Sequence, residues 1–262
     1  MLFARGRLEL LGRTTLGVVG SRRCTEYGAQ STQLLTVPVA RAGAVIVSGM
    51  ALGIDSIAHI AALDVGGDTI AVLGCGIDIC YPRSARKLLE RIVSSGLVLT
   101  EFAPGTPPRN YHFPHRNRII ALLSNAVLVV EATEESGSLI TARRAMHHIH
   151  AFAVPGPIGR PTSAGCNQLI REGAELVTGG AQIMEFLKLT APPDVLADEP
   201  FEVDPEARHV WRVLTPDGLH VDEVAGRAQL PTAAVTHALL QLELAGHARQ
   251  LPGSRFALAA RR

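Results

Sequence analysis

GVVGSRRCTEYGAQ, residues 17–30, decides the fold. The stretch leaves a short β-prone apolar run, turns through Gly20-Ser21-Arg22 and opens a helix. A strand that passes into a helix through a small-residue turn is the first half of a βαβ unit. Its spacing is not GxGxxG, and GCGIDI at 74–79 puts Ile79 where a third glycine belongs. Without that fingerprint a nicotinamide or flavin is not expected, and no cofactor is assigned.

The same grammar repeats outward from this turn. LGVVG at 16–20, AVIVS at 44–48, TIAVL at 69–73, LVLT at 97–100, AVLVV at 126–130, AFAV at 151–154 and ELVT at 175–178 are apolar without alternation. Continuous apolar strands are covered on both faces, and helical stretches separate most of them. The expected fold is α/β, an extended Rossmann-like, doubly wound and mostly parallel sheet. Right-handed crossovers then bring every strand's C-terminal end to one edge, where open α/β sheets bind ligands. That edge reads Gly20-Ser21-Arg22, Ser48-Gly49-Met50, Gly74-Cys75-Gly76, Glu101-Phe102, Glu131-Ala132-Thr133 and Pro155-Gly156. Small residues let backbone N–H groups approach a ligand, and helix starts favour anions.

Three domains of behaviour follow along the chain. Residues 1–189 form the sheet domain. TAPPDVLADEPFEVD at 190–204, acidic and proline-containing, reads as a linker. Residues 205–262 hold three helical stretches and two short strands around Pro-Gly-Ser, the order of a winged helix. The presumed recognition helix carries Thr232, Thr236, His237 and Gln241 but no Arg or Lys, which favours a regulatory or protein-contact role over strong duplex binding.

Net charge is +1, so electrostatic arguments must be local, and of 25 basic residues only Lys87 and Lys188 are lysine. Arginine suits planar, bidentate phosphate contacts. The four cysteines have no CxxC spacing, no signal-peptide h-region opens the chain, and no apolar run spans a bilayer. A cytoplasmic protein without membrane contact is expected. HHIH at 147–150 does not place its histidines on one helix face, so no metal site is assigned. Asp55 and His59 share a helix face, with no nucleophile evident. Ser136, Gly137 and Ser138 stand at a helix start that suits either a phosphate or plain N-capping. In HFPHRNRIIALLS, 112–124, cations crowd the lip of an apolar helix, as a solvated start or an anion grip.

Together, GVVGSRRCTEYG, VSGMALGIDSIAH, AVLGCGIDICYP, LTEFAPGTPP, FPHRNRIIALLS, VVEATEESGSLITA, FAVPG and GCNQLIREGAELV resemble the DNA-processing protein A family (DprA, also called Smf), from about Leu2 to Leu189. The C-terminal module resembles the winged helix of many members. Their N-terminal helical domain has no counterpart in this sequence. The resemblance implies a non-enzymatic protein that binds single-stranded DNA in a basic pocket, protects it and loads the RecA recombinase onto it in natural transformation. It implies a pocket of Gly20, Ser21, Arg22, Ser48, Gly49, Gly74, Gly76, Arg83, Phe113, Arg116, Asn117, Arg118, Ser136, Gly137 and Ser138, and a homodimer through Ile170 and Leu176. FPHRNRIIALLS departs from the family pattern only at an Ala-Leu pair and at His115. Residues two apart on a helix do not face alike. Of Arg116 and Arg118, then, one should grip phosphate and the other brace a loop or a carboxylate such as Glu131 or Glu135. Arg116 is taken as the DNA contact. The enzymatic alternative is a nucleoside monophosphate hydrolase on a related fold, whose PGGxGTxxE-type loop is replaced here by EESGSLITARRA.

Overall fold

Eight strands line up in the order β1-β5-β4-β3-β2-β6-β7-β8. They are β1 (Phe3–Gly6), β2 (Thr15–Val19), β3 (Val45–Ser48), β4 (Thr69–Val72), β5 (Leu97–Thr100), β6 (Ala126–Val129), β7 (His150–Ala153) and β8 (Glu175–Leu176). All neighbours are parallel except β1, which runs antiparallel to β5 with Phe3 opposite Thr100. The computed structural model describes residues 1–146, 148–190, 204–215 and 218–259, without the side chains at 140, 141 and 144–146. The mostly parallel, doubly wound sheet read from the sequence is what the chain forms.

The strands are buried on both faces because neighbouring residues serve different cores. Val18, Ile46 and Leu128 pack with Leu35 and Val39 of α1 (Glu26–Arg41) and Ala58 of α2 (Ile54–Asp64). Val19, Val45, Val47 and Val129 face the other way, onto Ile119 and Ile120 of α4 (His112–Leu122) and Leu139 of α5 (Gly137–Met146). Period-two alternation thus fills two layers with one apolar run. Each such side chain contributes roughly 1.5–3 kcal/mol on burial. A third apolar group beside α3 (Arg86–Ser95) joins Met50, Leu73, Cys75 and Ile92. Helix α6 (Pro161–Arg171) begins with a proline, whose missing N–H costs nothing at that position, and α7 (Gly180–Phe186) follows β8.

Chain order reverses between β2 and β6. From β2 the chain steps outward through β3, β4 and β5, then returns to β6 on β2's other side. Adjacent parallel strands whose crossovers depart in opposite directions leave an open crevice at their C-terminal ends.

The chain divides into two compact units, Met1–Val195 and Leu196–Arg262. That division, and all but the ends of the expected 190–204 linker, lie outside the described residues. In the second unit α8 (Pro205–Val213), α9 (Val221–Ala228) and α10 (Thr232–Leu244) enclose Val210, Val224, Val235, Leu239 and Leu242. Asp204 caps α8, its carboxylate accepting from the Ala207 N–H at 2.8 Å. Strands β10 (Ala248–Leu251) and β11 (Arg255–Leu258) form the expected hairpin, and β9 (Leu219–His220) completes a three-stranded sheet. Among the described residues no helix is long and apolar enough to cross a membrane.

Candidate functional site

The loop after β2 is stitched into the crevice by its own backbone. Ser21 N–H donates to the Glu131 carbonyl at 2.7 Å, and the Ser21 carbonyl accepts from Ile54 N–H at 3.2 Å. The second bond requires α2 to start almost against the loop. Gly53 permits this, since its φ of +75° suits glycine and a Cβ would collide with the Ser21 carbonyl. Ser21 Oγ accepts from Arg23 N–H at 3.1 Å, so the serine shapes the turn that aims Arg22 outward.

Arg22 is exposed, and its guanidinium carbon lies 4.6 Å from the centre of the Phe113 ring. Phe113 stacks on Tyr81 at 5.7 Å and 30°. These three residues line a cleft with Gly49, Met50, Leu73, Gly74 and Cys75 at the tips of β3 and β4. A cation over a ring face contributes roughly 0.5–1 kcal/mol at an exposed site. More usefully, it brings a cation and two aromatic rings together in one cleft.

One turn along α4, Arg116 does something quite different. It is 3% exposed, and its Nη1 donates to the carbonyls of Gly49 and Val72. Nε donates to Asn117 Oδ1 at 3.0 Å, and Asp55 lies 4.0 Å away. Gly49 has no side chain because Arg116 occupies that space; a Cβ there would overlap the guanidinium. Burial lowers the Arg116 pKa to about 10, with Asp55 opposing the fall, so it stays protonated at neutral pH. Burial likewise raises the Asp55 carboxyl, against the pull of Arg116. Arg116, expected as the phosphate contact, is therefore committed to carbonyls beneath the tips of β3 and β4. Arg118 is exposed and pairs with Glu101, not with Glu131 or Glu135. The Glu131 carboxylate instead accepts from Thr25 N–H and Oγ at 2.8 and 2.9 Å.

The remaining expected residues divide by position. Gly49 and Gly74 line the Arg22–Phe113 cleft, whereas Gly20 lies against Ile54 and Ser21 shapes the loop that carries Arg22. Ser48 is fully buried and donates to the Val18 carbonyl at 2.6 Å, tying β3 to β2. Gly76 sits under the Asp78 carboxylate, which accepts from Gly105 N–H at 2.8 Å. Arg83 lines a separate groove with Arg5, Arg86, Ile77, Ile79 and Leu89. Tyr81-Pro82, joined by a cis peptide, supplies both residues to the cleft. Asn117 Nδ2 reaches the Gly137 carbonyl only at 3.5 Å. Ser136 Oγ accepts from Thr133 N–H at 3.0 Å, whereas Ser138 Oγ is buried with no partner among the described residues. Ile170 packs partly against the main core, and Leu176 is exposed on the two-residue edge strand β8.

Asp55 and His59 share a helix face but not a partner. His59 Nδ1 lies 2.6 Å from Thr69 Oγ, whose hydroxyl donates to the Ile46 carbonyl, so the imidazole is the donor. Burial depresses His59 to about 3 and holds it neutral. His147 of the HHIH tract lies outside the described residues, and among those described no His, Cys, Asp and Glu cluster could hold a metal.

The model of the family described as DNA recombination-mediator protein A matches residues 1–188, and that of the DprA winged helix domain matches residues 191–254. The chain belongs to the DNA recombination-mediator protein A family. DNA processing protein DprA of Streptococcus pneumoniae is 48% identical over 185 residues, covering 70% of this chain and 65% of that protein. Protein Smf of Escherichia coli is 43% identical over 265 aligned positions, covering 96% and 70%. This family member thus spans about two thirds of these relatives' length. The solved structure of S. pneumoniae DprA superposes with a TM-score of 0.68 at 48% identity, covering 70% of this chain and 65% of that one. DprA of Helicobacter pylori, solved for its single-stranded DNA binding mode, gives 0.66 at 34% identity and covers 71% and 86%.

Proposed function

We propose that this family member binds single-stranded DNA at the C-terminal edge of its sheet, shields it and delivers it to a RecA-type recombinase in transformation or recombination. The observation that carries the reading is Arg22 poised over Phe113, with Tyr81 behind it, on the reversal side of a parallel sheet. An unpaired base presents a π-face that an aromatic side chain can stack against without reading sequence. Duplex DNA keeps its bases stacked and paired, so a single-ring cleft selects single strands. Arg22 and the N–H groups of the strand tips serve the phosphates, which supply most sequence-independent affinity. In this reading Arg116 is the brace that fixes Gly49 and β4 beneath the nucleotide, and Arg22 takes the contact role expected of it.

The binding mode of the H. pylori relative supports this reading. From the same family we propose a cytoplasmic homodimer, with Ile170 and Leu176 as its apolar contacts, and no catalytic step. Fluorescence anisotropy with an oligothymidylate, repeated across a salt series, tests the core of it. Tight, salt-sensitive binding that Arg22→Ala and Phe113→Ala both weaken is expected. Release of free base from nucleoside monophosphates, with no oligonucleotide binding, would replace the reading with the hydrolase alternative.

A further inference from the structure

The chain has three tyrosines, and their hydroxyls and rings are used differently. Tyr27 donates its hydroxyl to the Pro155 carbonyl at 2.7 Å. Tyr81 backs Phe113. Tyr111 stands at the start of α4, two residues before Phe113, with 58% of its surface exposed.

Exposed as it is, Tyr111 is held in place from two sides. Its ring meets His112 edge to face at 4.6 Å and 84°. His112 stacks on Phe102 at 4.1 Å and 26°, and its Nδ1 donates to the Gly74 carbonyl at 3.1 Å. Gly74 also lines the Arg22–Phe113 cleft, so one backbone position anchors both ring clusters. At the outer end, Arg109 Nη1 donates to the Tyr111 hydroxyl at 3.2 Å. Among the described residues no carboxylate neutralises Arg109.

The first cleft and this cluster therefore have the same composition: an aromatic ring, an exposed arginine at it and a second ring behind. A solvent-exposed ring already fixed by its neighbours loses little rotamer freedom when a ligand covers it. Its adjacent guanidinium neutralises phosphate charge that a further nucleotide brings.

We propose that Tyr111, with Arg109 at its hydroxyl, is a second base-stacking position, linked to the Arg22–Phe113 cleft through His112 and the Gly74 backbone. The site then grips two nucleotides of one strand. This inference rests on the single-stranded DNA reading and adds to it a footprint wider than one base.

An abasic scan crossed with side-chain variants tests it. Oligothymidylates carrying one abasic site, moved stepwise along the strand, are titrated against the full chain. The wild type is expected to show two sensitive positions. Phe113→Ala should silence one and Tyr111→Ala the other, since removing a base costs nothing once its ring is gone. Each alanine variant should lose roughly 5- to 150-fold in affinity, the range of base–aromatic stacking. Tyr111→Phe should retain the second sensitive position, while Tyr111→Leu, apolar but without a π-face, should lose it. Arg109→Ala should lower the salt dependence without moving either position. Tyr111→Ala that binds as the wild type, or a scan with one sensitive position that Phe113→Ala abolishes, overturns the second position and leaves the first intact. A wild-type chain that binds no oligonucleotide overturns both readings.

Discussion

Two regions of this chain have the outline of a nucleic-acid contact, and they are built from opposite materials. The C-terminal edge of the sheet presents Arg22, Phe113 and Tyr81 on a backbone of glycine and serine. Helix α10, which holds the recognition position of the winged helix, presents Thr232, Thr236, His237, Leu240 and Leu244, with Leu240 54% and Leu244 81% exposed. It contains no Lys or Arg. In the hairpin, Arg255 donates to the Gly218 carbonyl at 2.7 Å, which spends part of its fork inside the unit. Charge and π-surface sit on the sheet edge; hydroxyl and leucine sit on α10. A shared fold with DNA readers does not confer their chemistry, because affinity for phosphate comes from cations placed at the surface.

The sharpest way to break this contrast is to remove the brace beneath the sheet edge. Arg116→Met leaves Asp55 buried without its countercharge, and about 3–5 kcal/mol of stability should be lost in urea unfolding. Asp55→Asn in the same chain should recover part of that loss, because it removes the stranded charge. Acid attacks the same layer through His59. Its folded pKa of about 3 lies below its ordinary 6.5, so its contribution is complete above pH 6.5 and drains away as pH falls toward 3. Within that window stability should drop by up to about 1.4 kcal/mol per pH unit from this group. His59→Gln, followed by denaturation at stepped pH, should flatten that limb.

Smaller effects sharpen the contrast at the surface. Phe113→Ala should cost about 1–3 kcal/mol in affinity for single strands while leaving the fold intact. Arg22→Ala should weaken all sequences alike and lower the log–log salt slope by roughly 0.7. The smallest change is expected on α10, where replacing Thr232, Thr236 and His237 together by alanine should shift DNA affinity by less than about 0.5 kcal/mol. Duplex binding at physiological salt that this triple variant abolishes would erase the distinction between the two regions.

Most of the sheet was readable because continuous apolar runs separated by helices admit few arrangements. The reading ran about one residue past β2, β4, β6 and β7, since Leu73, Val130 and Val154 stay buried, and Gly20 half-buried, beyond the last residue of each strand. Strand β1 was not legible. FARG sits on an edge with three of its four residues exposed, and an edge strand has no need of an apolar run. The two-residue β9 was too short to leave a pattern. At the site, the glycines at the strand ends were readable, and Gly49 and Gly74 line the cleft, but arginine chemistry alone did not show that Arg116 is buried. Helical spacing held the missing signal. Arg116 is three and four positions before Ile119 and Ile120, both buried, while Arg118 shares its face with exposed Leu122. Tyr111 and Arg109 left no sequence signal, because the ring's support comes from His112, which stacks on Phe102 from a different part of the chain.

The brace at Arg116 also has a consequence in time. Its two carbonyl partners lie 67 and 44 positions away along the chain, at the C-terminal ends of different strands. Closing such loops costs entropy that grows only slowly with their length, and β2 pairs β6 over a longer separation still. A growing chain can therefore set this floor before β6, β7 and β8 have been made, since all three follow Arg116.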